Sequence, residues 1–234
     1  RSAKGVAAVQ CLEMVTQNKG QWADAVGALG SWDMHCTPEH IVTDGGPAFK
    51  SGKFRKACAD LGVTSERSIA GFPELRAVIE RLFRTMGLSL MPRLSGRTMS
   101  DIVTKGSADP RKRAALTLED FIFAIVRWTI DIYHNTEHRG LDGETPVECW
   151  RRLASHWGHI ISPDLRHQRA CFGKEMVRSL DKNGITILGA RYQCPTLANL
   201  MNRTGGGDMR VRWHHNDIGH IEVFHEGGWL EASA

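Results

Sequence analysis

Asp44 and Glu80 are two carboxylates with thirty-five residues between them, each in a setting suited to holding a divalent metal. Asp44 ends the short apolar run Ile41-Val42-Thr43, which predicts a strand, and the turn Gly45-Gly46-Pro47 follows it. Glu80 closes the run Pro73-Glu74-Leu75-Arg76-Ala77-Val78-Ile79-Glu80, which predicts a helix opening at Pro73. A strand end and a packed helix can point two carboxylates at the same ions. Mg²⁺ (or Mn²⁺) takes few protein carboxylates and keeps its other positions for water and phosphate oxygens. Two such ions, about 3.5–4 Å apart, flank an in-line displacement at phosphorus, so the pair is expected within roughly 4–8 Å of each other. The offset alone decides little, because the chain has thirteen aspartates and thirteen glutamates. Glu80 also has Arg76 and Arg84 at i−4 and i+4, and a surface Arg–Glu–Arg ladder, with a few tenths of a kcal/mol per pair, is the competing reading.

The surrounding residues carry more information. Asp44-Gly45 with Phe49 after it, and the run Pro73-x-x-Arg76-Ala77-x-Ile79-Glu80, resemble the second and third carboxylates of the D,D(35)E core of retroviral integrases and DDE transposases. The stretch Tyr133-His134-Asn135-Thr136-Glu137-His138-Arg139-Gly140-Leu141-Asp142-Gly143-Glu144-Thr145-Pro146 resembles the segment that follows that core. The resemblance implies a ribonuclease-H-like α/β fold, Asp44 and Glu80 as catalytic metal ligands, and two Mg²⁺ or Mn²⁺ ions. It implies DNA, both element ends and target, as partner, and a homo-oligomer assembled on that DNA. An ATPase target-selection partner is a further candidate. In such a family Arg76 and Arg84 lean on DNA phosphates beside Glu80. The implied chemistry cuts element ends and transfers their 3′-OH groups to target DNA, with no covalent protein–DNA intermediate.

The family's first catalytic Asp sits on an early strand. Asp24 and Asp33 are the only earlier aspartates, and neither follows an apolar β-run. The chain is therefore expected to be an N-terminally truncated piece, incomplete in its core and inactive alone. An alternative reading is a non-catalytic DNA-binding or assembly subunit with a degenerate integrase-like fold. A ribonuclease-H-like nuclease would share the metal site but not the Thr145-Pro146 segment.

The elements that must position these residues can be read in order. Val6, Val9, Leu12, Met14 and Val15 predict a helix ending near Gly20, and Trp22 to Leu29 a second. Ser51 to Leu61 reads as an amphipathic helix stopped by Gly62, with Phe54, Cys58 and Leu61 inward. Val63 to Ile69 reads as an edge strand. On the Glu80 helix Leu75, Val78, Ile79, Leu82, Phe83 and Met86 form an apolar stripe. Thr117 with Asp120, and Thr145 with Glu148, are capping boxes. The first opens a helix expected to bury Phe121, Ile125, Trp128 and Ile132. His138 is expected to hold its loop by hydrogen bonds. This gives a catalytic-core domain over 1–114 and a helical extension over 115–162.

Beyond Pro163 short alternating runs predict a small β-barrel domain over 163–234. Lys174 to Leu180 is one strand, and Asn183-Gly184 is a hairpin turn leading into Ile185-Thr186-Ile187-Leu188. Gly184-Ile185…Tyr192…Leu197 and Val211-Arg212-Trp213-His214-His215-Asn216-Asp217…Ile221-Glu222-Val223 resemble the barrel that follows the core in Mu-type transposases. Met209, Val211 and Trp213 are expected inside, and Arg210 and Arg212 outside, facing phosphate or solvent. His214, His215 and His220 have no Cys or carboxylate at zinc-ligand spacing, which argues against a metal there.

Composition is that of a globular chain: 234 residues, 41% hydrophobic, 24% charged, net charge +4. The charge is uneven. From Arg76 to Arg113 nine basic residues face three acidic ones, and Arg93, Arg97, Arg111, Lys112 and Arg113 extend the expected phosphate-binding footprint beyond Arg76 and Arg84. The six cysteines form no C-x-x-C pair, and no apolar run reaches membrane-spanning length. A reducing, cytoplasmic and nucleoid-associated setting is expected, with no membrane partner.

Overall fold

The computed structural model describes residues 3–67, 74–96, 109, 112 and 114–234. In chain order the helices are α1 (Ala3–Thr16), α2 (Gly20–Ala25), α3 (Gly52–Leu61), α4 (Glu74–Ser89), α5 (Leu118–Arg127), α6 (Pro146–Trp157), α7 (Leu165–Phe172) and α8 (Pro195–Thr204). The strands are β1 (His40–Thr43), β2 (Thr64–Arg67), β3 (Lys174–Asp181), β4 (Gly184–Ile187), β5 (Ala190–Tyr192), β6 (Gly207–His214), β7 (Asp217–His225) and β8 (Gly228–Ser233). They divide into two compact units, neither contiguous in sequence. One comprises Arg1–Thr16, Thr37–Glu66 and Ile161–Ala234, the other Gln17–Cys36 and Arg67–Ile160.

In the first unit α3 forms as its sequence dictates. Ser51 caps it by accepting a hydrogen bond from the Phe54 N–H, and Gly62 ends it at φ +73°. Phe54, Ala57, Cys58 and Leu61 are buried against Ala8 and Leu12 of α1 and Cys171 and Phe172 of α7. Burying each large side chain of this kind contributes about 1.5–3 kcal/mol. Helix α1 departs from expectation. It buries Gly5, Ala8, Leu12 and Thr16, while Val6 and Val15 face solvent. Small residues win this face because the approach is close: a Cβ at Gly5 would lie 2.8 Å from Ser51 Oγ. Strands β1 and β2 pair as a two-stranded sheet.

The same unit carries a six-stranded antiparallel sheet in the order β5-β4-β3-β6-β7-β8. Its edges meet through an antiparallel bridge between Gln193 and Ser233, whose backbone groups exchange hydrogen bonds of 2.9 and 3.2 Å. The sheet thus curls back on itself, as the alternating pattern predicts, around Leu180, Ile185, Ile187, Tyr192, Val211, Ile221, Val223 and Ala232, with Leu197 of α8 packed among them. Two turns differ in detail from the sequence reading. Gly184 is the first paired residue of β4, at φ +95°, where a Cβ would overlap the Tyr192 carbonyl. Leu188 is not in the strand but in the turn Leu188-Gly189, at φ +51° and +86°.

In the second unit both capping boxes are present, Thr117 with Asp120 and Thr145 with Glu148. After α5 the chain takes a π-helical turn over Trp128–Ile132. A wider turn changes which residues face inward, so Val126, Trp128 and Ile130 are buried while Ile132 is exposed. The Asp131 carboxylate accepts from the Leu29 and Gly30 N–H groups and from Arg127, tying the segment after α2 to this turn. Helix α2 is shorter than predicted and ends before Gly27, which adopts φ +57°. Helix α4 forms, but its apolar stripe is not covered among the described residues: Val78, Ile79 and Phe83 stay exposed. Pro73 and the part of the predicted edge strand beyond Arg67 lie outside the described residues.

Candidate active site and nucleic-acid interface

Asp44 follows β1 directly and its carboxylate is exposed. Its Oδ1 accepts a 2.8 Å bond from the Gly46 N–H, so the turn predicted from Gly45-Gly46 fixes the side chain at the strand end. Glu80 lies in the first half of α4 and is also exposed. The two carboxylates belong to different compact units. Each offers hard oxygen donors open to solvent, the donor chemistry that Mg²⁺ or Mn²⁺ requires.

The predicted basic footprint is exposed where it is described, at Arg84, Arg93 and Lys112. The Arg76 side chain and Arg97, Arg111 and Arg113 lie outside the described residues. The two arginines of β6 part company. Arg210 is exposed, donates to Glu175 at 2.8 Å and stacks on Phe224 at 4.8 Å. Arg212 is buried, which corrects its assignment to an outer phosphate-binding face. Helix α7 packs on β6, and Arg212 donates to the Ala170 carbonyl of that helix. It also pairs with Glu175 and with Asp60 of α3, and its guanidinium lies over Trp229. Burial raises the Glu175 pKa, but hydrogen bonds from Lys56 and Arg210 outweigh it and hold the carboxyl at about 2.

A second charge network, centred on the buried Arg169 and Glu222, lies beside it. Arg169 of α7 pairs with Asp217, Glu222 and Glu231. Spacing gave no hint of this network, because its members are separated by 48 to 62 residues. Burial pushes the Glu222 carboxyl up despite Arg169.

The segment resembling the post-core motif is a tight loop. His138 donates its N–H to the Glu144 carbonyl, and its own carbonyl accepts from Leu141 and Gly143. Its ring packs edge-on to Tyr133, 4.9 Å between centroids. The loop-holding role expected of His138 is thus carried by its backbone. Asn135 donates to the Ile130 carbonyl at 2.8 Å, tying the loop to the π-turn.

Residues 1–96 match the family model of the TnsB C-terminal domain, and residues 169–231 match that of the Mu transposase C-terminal domain. Together these two matches support a Mu-type transposase. The first match spans Asp44 and Glu80, and the second spans most of the curled sheet. The transposase for transposon Tn552 of Staphylococcus aureus is 24% identical over 202 residues, 86% of this chain and 39% of that protein. An uncharacterized protein of Caenorhabditis elegans is 26% identical over 130 residues, 56% of this chain and 8% of that one. The chain therefore spans well under half the length of either relative. A chain in the cryoEM structure of the simian T-cell lymphotropic virus intasome with PP2A regulatory subunit B56 gamma aligns over 100% of this chain and 63% of its own. The identity is 16% and the TM-score 0.36, too low to bear on the fold. No helix among the described residues is long and apolar enough to cross a membrane.

One cluster escaped the sequence reading. Ligand atoms of Glu13, His214 and His215 lie within 4.8 Å of one another. The carboxylate missing from the neighbourhood of the histidines comes from α1, some two hundred residues away in sequence.

Proposed function

We propose that this chain is the part of a DNA transposase that carries Asp44 and Glu80 as two of its three catalytic carboxylates, together with a DNA-binding C-terminal barrel. The observation that carries the reading is the order of the two family matches: the first contains both carboxylates, the second the curled sheet. The complete protein would cut element ends and join their 3′-OH groups to target DNA, on a ribonuclease-H-like core, as a homo-oligomer on DNA. An ATPase partner remains an expectation of the resemblance alone.

Asp44 and Glu80 are the residues that would hold Mg²⁺ or Mn²⁺, and their exposed carboxylates suit it. Bound there, the ions supply Lewis-acid stabilisation of the reacting phosphate. The chain's own contribution is placement. The Gly46 N–H fixes the Asp44 carboxylate, and Arg84 on α4 puts a cation one turn beyond Glu80, suited to a DNA phosphate.

The test is Mg²⁺-dependent DNA joining by the complete protein and its Asp44→Asn and Glu80→Gln variants. Both substitutions keep size and remove charge. Loss of joining by at least a hundredfold, with DNA affinity and folding retained, is the expected result. Undiminished joining by both variants would refute the assignment. A complete protein that binds DNA but never joins it would favour the non-catalytic assembly subunit.

A further inference from the structure

We propose that Glu13 of α1 and His214 and His215 at the end of β6 form a zinc site in the first unit, separate in residues and donor type from Asp44 and Glu80. Three observations carry it. The ligand atoms of the three side chains all lie within 4.8 Å of one another, with Glu13 and His214 buried and His215 exposed. Two imidazoles and one carboxylate are a donor set that Zn²⁺ accepts and that Mg²⁺, which prefers oxygen, does not.

The second observation is directional. His214 Nε2 lies 3.0 Å from Glu13 Oε1, yet this buried nitrogen makes no hydrogen bond. Two donors that share a tetrahedral ion sit in this relation. With metal–ligand bonds near 2.0–2.1 Å their separation is about 3.3 Å, and each lone pair points at the ion rather than at the other donor. His215, being exposed, can rotate to shorten the widest gap.

The third observation is an opening for a further ligand. All three residues line a cavity of about 450 Å³, together with Lys53, Lys56 and Gln10. Three protein ligands leave one tetrahedral position for water or an anionic oxygen from that cavity. One adjustment is required. His214 Nδ1 accepts a long, 3.3 Å bond from the Asn216 N–H. Metal on Nε2 moves the ring proton to Nδ1, so that contact must open.

Because the ligands join residue 13 to residues 214 and 215, the ion would clip α1 to the barrel. The experiment uses the whole chain without a polyhistidine tag, stripped with chelator and titrated with ZnCl₂ by calorimetry. One Zn²⁺ per chain is expected, with Tm raised by roughly 5–10 °C at a hundredfold excess over Kd. The backbone amide resonance of Asn216 should shift on addition. Glu13→Gln and the exposed His215→Ala should each weaken binding at least tenfold with circular dichroism unchanged, whereas His220→Ala should leave it intact. No stoichiometric binding would overturn the site. So would binding that survives both ligand variants, since it would then belong to scattered surface histidines.

Discussion

The Arg212 guanidinium lies 4.1 Å from the centre of the Trp229 ring, so a cation that the strand pattern places on the outer face is sandwiched inside the fold. Arg210, two residues away on the same strand, stacks on Phe224 but remains exposed. The pair separates structure from DNA contact. Arg212→Ala leaves a buried cavity and strips partners from Asp60 and Glu175, so a loss of about 2–4 kcal/mol is expected. Arg210→Ala should cost no more than about 1 kcal/mol, the range of exposed ion pairs, and should lower DNA affinity instead. Denaturant unfolding and anisotropy on duplex DNA distinguish the two. A destabilised Arg210→Ala beside a neutral Arg212→Ala would reverse the assignment.

Glu175 gives the same cluster an acid limit. Its carboxyl is held at about 2 against an ordinary 4.5, with Lys56 and Arg210 outweighing burial. A depressed carboxylate contributes stability that is present above its unfolded pKa and is lost as pH falls through the folded one. Unfolding free energy should therefore decline between about pH 4.5 and 2, and Glu175→Gln should flatten part of that slope.

His134 sets a milder limit in the second unit. Burial first, and repulsion from Lys19 second, lower its pKa from 6.5 to about 4, against an opposing pull from Asp33. The folded chain then binds fewer protons than the unfolded one between these values, so stability rises with pH across that window. Lowering the pH from 7 to 4 should cost on the order of 3 kcal/mol through this residue. In His134→Gln, that component of the pH dependence should vanish. An unchanged profile would mean that His134 is hydrated.

Leu188 is an exposed leucine at φ +51°, followed by Gly189 at φ +86° in a two-residue hairpin turn. Both signs match a turn that prefers Asn-Gly, because asparagine tolerates the left-handed region and leucine does not. Leu188→Asn should stabilise the chain by about 0.5–1 kcal/mol, visible as a Tm rise of roughly 1–4 °C. A lower Tm would mean that the leucine side chain packs usefully.

Local chemistry was legible in the sequence, and distant chemistry was not. Ser51, Thr117 and Thr145 announced their helix starts because a cap is decided within three residues. The strands of the curled sheet announced themselves through alternation and through the Asn183-Gly184 turn. Arg212 and Ile132 were misplaced for different reasons. The first depends on α7 covering β6, and the second on a π-turn that breaks the 3.6-residue phase. Glu13 could not be paired with His214 from spacing, since folding alone brings them within reach. Asp44 and Glu80 were legible as candidates only because the residues around them resemble a family's motifs.

Salt dependence tests the basic footprint. Arg84, Arg93 and Lys112 are exposed along the segment where positive charge concentrates. If they neutralise phosphates, log affinity for duplex DNA should fall linearly with log salt, with a slope near −0.9 for each phosphate contacted. Each single change to Ala at Arg84 or Arg93 should then lower affinity similarly on unrelated DNA sequences and reduce the slope by about one. Substituting Arg212 should leave the slope of the remaining folded fraction unchanged, since a buried guanidinium releases no counterions. Affinity that is flat between low and moderate salt would show these cations to be solvated surface.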